Sequence, residues 1–240
     1  MKAAELISEQ SGLNILSFDI LNRYGIKHGM VVKSNGRDID QEQVCQKLNS
    51  SGRLAVTHQI HSDSLEAIEQ GHQLFYPQKI ETDGLMTGEK GVVISIHTAD
   101  CVPIFLADKE AKAVCLIHAG WKGTAQGIAQ KGLQQFMSRY RLKPGQTVAA
   151  IGPAIEQICY RVSAEVADRF EPSVKISEGG GKWRLDLKAE NRRQLVQAGL
   201  ASNDIYASEL CTFCQNSLLH SYRREKELKG QLISYMEAGK

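Results

Sequence analysis

The chain has 240 residues, with Lys+Arg 29 against Asp+Glu 27 and a formal charge of +2. That balance excludes a strongly basic nucleic-acid binder and an acidic tail protein. Hydrophobic residues at 42% and charged residues at 23% exclude a disordered chain, because the apolar surface is enough to offset chain entropy, and a single domain over residues 1–240 is expected.

The N-terminus begins Met1-Lys2-Ala3-Ala4-Glu5 and carries acids where a signal peptide has its apolar core. No apolar run reaches the roughly 18 residues that span a membrane. A cytoplasmic chain with no membrane partner is expected, and its six cysteines, at 45, 101, 115, 159, 211 and 214, are then expected to be mostly free thiols. The first strand with a chemical group at its end is 56–61 (VTHQIH), closed by His61. Runs 92–96, 102–107, 113–117 and 147–152 are short, apolar and rich in β-branched residues, which predicts strands covered on both faces. His118 closes the third of them and leads into Ala119-Gly120-Trp121-Lys122-Gly123. Ala125, Ile128, Ala129, Gly132, Leu133, Phe136, Met137 and Tyr140 then make one apolar stripe, which predicts a helix capped at Gly123 or Thr124. Further helices are expected at 163–171 and 187–199, a flexible surface turn at 177–182 (SEGGGK), a strand near 205–207, and extended stretches at 221–223 and 232–235. Strands and helices alternate without a clean βαβ rhythm, so a mixed α/β (α+β) domain is expected rather than a doubly wound sheet.

His61, Cys101 and His118 each stand where an apolar strand breaks, and ends of buried strands hold loop-borne groups rigidly. Thiolate and imidazole suit Zn²⁺, with three protein ligands leaving the fourth tetrahedral position for a water. Cu²⁺ accepts the same donors. The spacing is long-range, so a reading in which Cys101 is a small buried hydrophobe and both histidines are hydrogen-bonded core groups stays open. In an extended strand His58 and His61 point to opposite faces. His97 is expected to support Asp100-Cys101 rather than to bind metal, and His72 is expected at the surface. Cys211-Thr212-Phe213-Cys214 is a CxxC without the second pair a zinc ribbon needs, and is expected to be structural. The glycine-rich turn before the stripe offers backbone N–H groups to an anion, and Lys33, Lys122, Arg223 and Arg224 are candidate phosphate-binding cations.

Together these segments resemble one family. Gln59-Ile60-His61, Thr98-Ala99-Asp100-Cys101-Val102-Pro103-Ile104 and Ile117-His118-Ala119-Gly120-Trp121-Lys122-Gly123 resemble the QVH, TADCxPI and HAGWRG signatures of the YfiH family, also called the multicopper polyphenol oxidoreductase or laccase-domain family. Gly152-Pro153-Ala154-Ile155 with Cys159-Tyr160, and Cys211-Thr212-Phe213-Cys214 through Ser221-Tyr222-Arg223-Arg224, are similar to its IGPxIGxCCYEV and CTxC…SYRR segments. The order holds from about residue 25 to 236. The resemblance implies a YfiH-like fold with β-sheets packed between helices and a zinc site at His61, Cys101 and His118. It implies phosphorolysis of adenosine, inosine, guanosine and methylthioadenosine, and deamination of adenosine, with purine nucleosides and inorganic phosphate as partners. His61, Cys101, His118 and Asp100 would be catalytic, with Asp100 or His97 moving protons and Lys33, Lys122 and Arg223 holding phosphate. Lys33, in His28-Gly29-Met30-Val31-Val32-Lys33-Ser34-Asn35-Gly36, stands where the family has arginine, and Glu227-Leu228-Lys229-Gly230-Gln231 loses another arginine. A lysine binds phosphate as a point charge rather than a planar fork. Three other readings remain: a metal-free hydrolase using Cys101 as a nucleophile activated by His118, a copper-dependent polyphenol oxidase, and a non-catalytic zinc-binding module.

Overall fold

The structure is a computed structural model and describes residues 5–10, 13–33, 41–48, 53–72, 79–227 and 230–239. Met1 to Ala4, Ser34-Asn35-Gly36 and Leu228-Lys229, which carry parts of the targeting and motif readings, lie outside the described residues.

The strands form three sheets. The first runs in space as β1 (Glu5–Gln10), β2 (Leu13–Phe18), β3 (Lys27–Val32), β16 (Leu232–Glu237), β8 (Val93–Thr98), β4 (Leu54–His58) and β6 (Lys79–Glu81). The second runs as β15 (Ile205–Ala207), β11 (Thr147–Ile151), β9 (Val102–Asp108), β10 (Val114–Ala119), β7 (Gly84–Thr87) and β5 (Leu65–Ile68). The third is small: β12 (Arg161–Ser163), β14 (Lys182–Leu185) and β13 (Lys175–Gly179). The helices are α1 (Asp19–Asn22), α2 (Gln41–Leu48), α3 (Trp121–Ala125), α4 (Ile128–Tyr140), α5 (Ala164–Ala167), α6 (Leu187–Gln197) and α7 (Tyr222–Glu225). Parallel pairs (β4 with β6 and β8, β5 with β7, β11 with β15) sit beside antiparallel ones. This is the mixed architecture the sequence predicts. Among the described residues no helix is long and apolar enough to cross a membrane.

The period-two alternation of the strands sorts the apolar side chains into layers. Phe105, Ala107, Val114, Leu116, Val148 and Ala150 of the second sheet meet Met30, Val32, Ile94, Ile96 and Leu232 of the first, so one core lies between the two large sheets. Their neighbours in sequence, Ile104, Leu106, Cys115, Ile117, Ala149 and Ile151, face the other way and pack on Leu133 and Phe136 of α4 and Leu195 of α6. Val31, Leu54, Val56, Val93 and Ile233 cover the outer face of the first sheet beneath Val44 and Cys45 of α2. The order of layers is therefore helix, sheet, sheet, helix. Phe18, Phe105 and Phe136 are fully buried, and cutting any of them to alanine costs about 3–5 kcal/mol.

Several elements depart from the sequence reading. The single helix expected after His118 is two, broken at Gly127, whose φ of 81° is left-handed. The caps are Gly120 and Gly127 rather than Gly123 or Thr124, and neither uses a side chain. The helix expected at 163–171 is only Ala164–Ala167, and the Ser163 side chain makes no cap hydrogen bond. The one expected at 187–199 closely matches α6, where the Asp186 carboxylate accepts the Ala189 N–H at 2.8 Å. The turn expected at 177–182 is only Gly180–Gly181, since 177–179 continue β13 and Lys182 opens β14, and Gly179, Gly180 and Gly181 are all at positive φ. Residues 221–223 are not extended: the Ser221 hydroxyl accepts the Arg224 N–H at 3.2 Å and opens α7.

Candidate metal centre

The ends of β4 and β8 in the first sheet and of β10 in the second place the site. Cys101 lies in the turn that carries the chain from β8 in the first sheet to β9 in the second. Its neighbour Asp100 takes a left-handed φ of 93°, uncommon for a residue with a side chain. His118 is the fifth residue of β10 and pairs with Pro103. His61 lies past the end of β4, also with a positive φ, of 59°. The chain stops being extended at His58, so the expected alternation fails and both His58 and His61 line the same cavity.

One donor atom from each of His61, Cys101 and His118 lies within 4.8 Å of the other two. The imidazoles of His61 and His118 meet edge to face, with centroids 4.9 Å apart. Gly120 follows closely, and a Cβ there would come within 3.0 Å of His61 Cδ2 and 3.2 Å of Cys101 Sγ. The glycine leaves room for these three side chains to close up.

Asp83, which the motifs do not mark, organises the set. It is wholly buried between β6 and β7. His118 Nδ1 donates to Asp83 Oδ1 at 2.8 Å, the His61 N–H donates to the same oxygen at 3.1 Å, and the Ser62 N–H and hydroxyl donate to Oδ2 at 2.6 and 2.7 Å. Burial works against its charge, but the His118 and Ser62 hydrogen bonds hold the carboxyl below its usual range. With Nδ1 of His118 committed, Nε2 is the nitrogen free to bind. Burial also opposes a thiolate at Cys101, yet His118 and His61 beside it pull the thiol down to about 6. Burial likewise opposes a charged His118, while the Cys101 sulfur and Asp83 raise it to about 9. Two imidazoles and a readily ionised thiol, backed by a carboxylate and open on one side to the cavity, fit a tetrahedral Zn²⁺, and Cu²⁺ would also accept them.

The cavity has a volume of about 630 Å³, the size that holds a small organic ligand. Trp121, Tyr160 and Tyr222 give it aromatic walls, and Lys79 and Arg223 give it positive charge. The Arg223 guanidinium stacks on the Tyr160 ring at 5.1 Å and donates to the Arg161 carbonyl at 2.7 Å. Asp100 also lines the cavity, but both its oxygens are engaged: Oδ1 accepts from Thr212 Oγ1 at 2.6 Å and Oδ2 from the Arg223 N–H at 2.7 Å. His97 reaches the cavity too, and burial together with Lys79 and His118 pulls it down to about 4, so it is neutral. Gln59 braces it, accepting the His97 N–H at 2.8 Å and donating to the His97 carbonyl at 2.6 Å. Of the expected phosphate-binding cations only Arg223 lines the cavity. Lys33 is buried against Glu225, with Nζ 3.4 Å from Oε1. Lys122 is exposed and does not line the cavity, its ammonium lying 5.8 Å from the centre of the Trp121 ring. His72 is at the surface as expected. Lys79 escaped the sequence reading because nothing in its short strand distinguishes it from a solvated cation. Asp83 could have been noticed only as an acid directly before the buried run Gly84–Thr87.

Residues 31–238 match the family described as multi-copper polyphenol oxidoreductase laccase. The chain is 35% identical over 196 residues to the purine nucleoside phosphorylase YlmD of Geobacillus stearothermophilus, covering 77% of this chain and 72% of that protein. It is also 35% identical over 183 residues to the adenosine deaminase RL5 of an unknown prokaryotic organism, covering 71% and 70%. The crystal structure of the Bacillus licheniformis hypothetical protein YfiH superposes with a TM-score of 0.84 at 28% identity, covering 96% of this chain and 98% of that one.

Proposed function

The chain belongs to the multi-copper polyphenol oxidoreductase laccase family, and from that membership we propose that it is a metal-dependent enzyme of purine nucleosides, carrying out phosphorolysis of adenosine, inosine, guanosine and methylthioadenosine and deamination of adenosine. The observation that carries the reading is the convergence of His61, Cys101 and His118 at the wall of a cavity with aromatic sides and two cations. The names borne by the YlmD and RL5 relatives support it.

His61, Cys101 and His118 would hold the metal, with Zn²⁺ the ion their donor set suits best. When bound, that ion supplies Lewis-acid polarisation of an oxygen beside the substrate. The residues of the chain do the rest. Trp121, Tyr160 and Tyr222 stack on the purine, a contact worth about 1–3 kcal/mol per base. Asp83 fixes the His118 ring and its tautomer. Arg223 and Lys79 receive inorganic phosphate. In phosphorolysis a phosphate oxygen bonds to C1′ of the ribose as the bond from C1′ to the base breaks, and the base leaves with that electron pair and gains a proton. In deamination the oxygen of water joins C6 and ammonia departs. Asp100, with both oxygens already accepting hydrogen bonds, positions the Cys101 turn and the N-terminus of α7. His97, being neutral, accepts a hydrogen bond from substrate rather than acting as a strong base.

The test is to give the zinc-loaded protein adenosine with and without inorganic phosphate and to separate the products chromatographically. Adenine with ribose 1-phosphate, formed only with phosphate, and inosine formed without it are expected. Untouched adenosine in both arms sinks the reading.

A second reading rests on one observation: the Cys101 thiol, pulled down to about 6, beside His118, raised to about 9, is the pairing of an activated cysteine nucleophile. Activity that survives complete chelation would favour this metal-free hydrolase.

A further inference from the structure

Outside the cavity a second set of ligands converges. The sulfurs of Cys159, Cys211 and Cys214 all lie within 4.8 Å of one another, and those of Cys159 and Cys214 are 3.4 Å apart. A tetrahedral Zn²⁺ with bonds of about 2.3 Å sets its sulfurs about 3.8 Å from each other, so the trio is already near that geometry. Cys211 is buried, and the Glu156 N–H reaches its sulfur at 3.4 Å. A divalent cation bound among the three sulfurs would deprotonate them and offset the repulsion between the resulting thiolates. The sequence hides the set, because Cys211 and Cys214 are a lone CxxC and the third ligand comes from the far-off turn Gln157–Cys159. The two segments are brought together by the bridge between Ala154 and Cys211 and by the Thr212 N–H, which donates to the Ala154 carbonyl at 3.1 Å.

The turn that carries the sulfurs also holds a residue of the cavity wall, Asp100. Thr212, between the two cysteines of the CxxC, is the residue whose hydroxyl holds Asp100 Oδ1 at 2.6 Å. The Arg224 guanidinium ties down the carbonyls of Thr212 and Phe213 at 2.6 and 2.8 Å.

We propose that Cys159, Cys211 and Cys214 form a second metal site, for Zn²⁺, whose bound ion fixes the turn that positions Asp100 beside Cys101. Cys214 is exposed, so a water completes the coordination from the solvent side. The site is independent of the nucleoside chemistry, and the two stand or fall separately.

The experiment counts metal in protein purified under reducing conditions without a metal-binding tag, and uses Co²⁺ as a spectroscopic probe. Two zinc ions per chain are expected for the wild type, and one each for Cys214→Ser, for Cys159→Ser and for the double variant Cys101→Ser/His118→Ala. Cobalt-loaded Cys101→Ser/His118→Ala should keep most of the near-ultraviolet sulfur-to-cobalt absorption, and that band should vanish when Cys214→Ser is added. Neither Cys159 nor Cys214 is fully buried, so these single variants are expected to fold, with the melting curve as the check. A wild type that holds no more metal than Cys214→Ser and Cys159→Ser overturns the proposal. So does a Cys159–Cys214 disulfide, found by mass spectrometry after alkylation, in place of bound zinc. Inactivity on adenosine with two zinc ions present would remove the nucleoside reading and leave this one intact.

Discussion

His118 donates Nδ1 to the buried carboxylate of Asp83 at 2.8 Å, while its own backbone N–H donates to the Asp83 carbonyl at 2.7 Å. One residue thus holds both the ring and the backbone of His118, and its carboxylate also takes the N–H of His61. Asp83→Asn keeps the shape and removes the charge. Loss of such a carboxylate behind a ligating histidine lowers metal affinity by about 10- to 100-fold. Competition with a zinc chelator measures it, and an unchanged affinity would show that Asp83 serves the fold alone.

The thiol of Cys101 should be the most reactive in the metal-free protein. Its alkylation rate should rise with pH around a midpoint near 6, and His118→Ala should move that midpoint upward, because the imidazolium that favours the thiolate is gone. Zinc should protect Cys101 and a chelator should expose it again. Timed alkylation read by peptide mass spectrometry gives all three results, and a thiol that zinc does not protect argues against its being a ligand.

The cations separate by their position. Arg223→Ala and Lys79→Ala, both at the cavity wall, should raise KM for phosphate about tenfold or more while deamination keeps its rate. Lys122→Ala, outside the cavity, should leave both unchanged. Steady-state kinetics with phosphate as the varied substrate decides, and equal effects from all three would remove the assignment.

His28 carries a pH dependence of folding. It is buried, its Nε2 accepts the Phe18 N–H at 2.9 Å, and its Nδ1 lies 2.9 Å from the Ile26 carbonyl oxygen. Burial outweighs the Ile26 bond and pulls the group from 6.5 down to about 4. The unfolded chain therefore binds the proton first. The stabilisation is complete above pH 6.5 and is lost as pH falls from 6.5 towards 4, by at most about 3 kcal/mol. Urea unfolding of the wild type and His28→Gln across that range should show a shallower decline in the variant. His97 shifts the same way in both proteins and cancels in the comparison.

β9, β10 and β11 of the second sheet were legible because both of their faces are apolar: Ile104 and Phe105 look into different cores. β5 and β7 of the same sheet were not, being four residues each, with the exposed Glu66 in β5. The His61, Cys101 and His118 set was legible as residue types at strand ends, though only the fold brings them together. Asp83 was not, since a carboxylate with no exposed surface reads in sequence like any turn acid, and its four donors come from His61, Ser62 and His118. Residues 221–223 misled for a related reason. A stretch with β-forming Tyr222 becomes helical because the Ser221 hydroxyl caps it and Asp100, far away in the chain, accepts the Arg223 N–H. Lys33 misled because burial against Glu225 turns a candidate anion ligand into part of the framework.

Cys101 belongs to the loop that passes from one large sheet to the other, His61 lies just past a strand of the first and His118 stands next to the last residue of a strand of the second. An ion held by all three would act as a rivet through the seam, and its binding energy would be shared with the cohesion of the layers. At a free concentration a thousandfold above its Kd such an ion adds about 4 kcal/mol to the folded state. Chelation would then lower the melting temperature as well as silence the cavity, and any substitution among the three ligands would loosen the joint between the sheets.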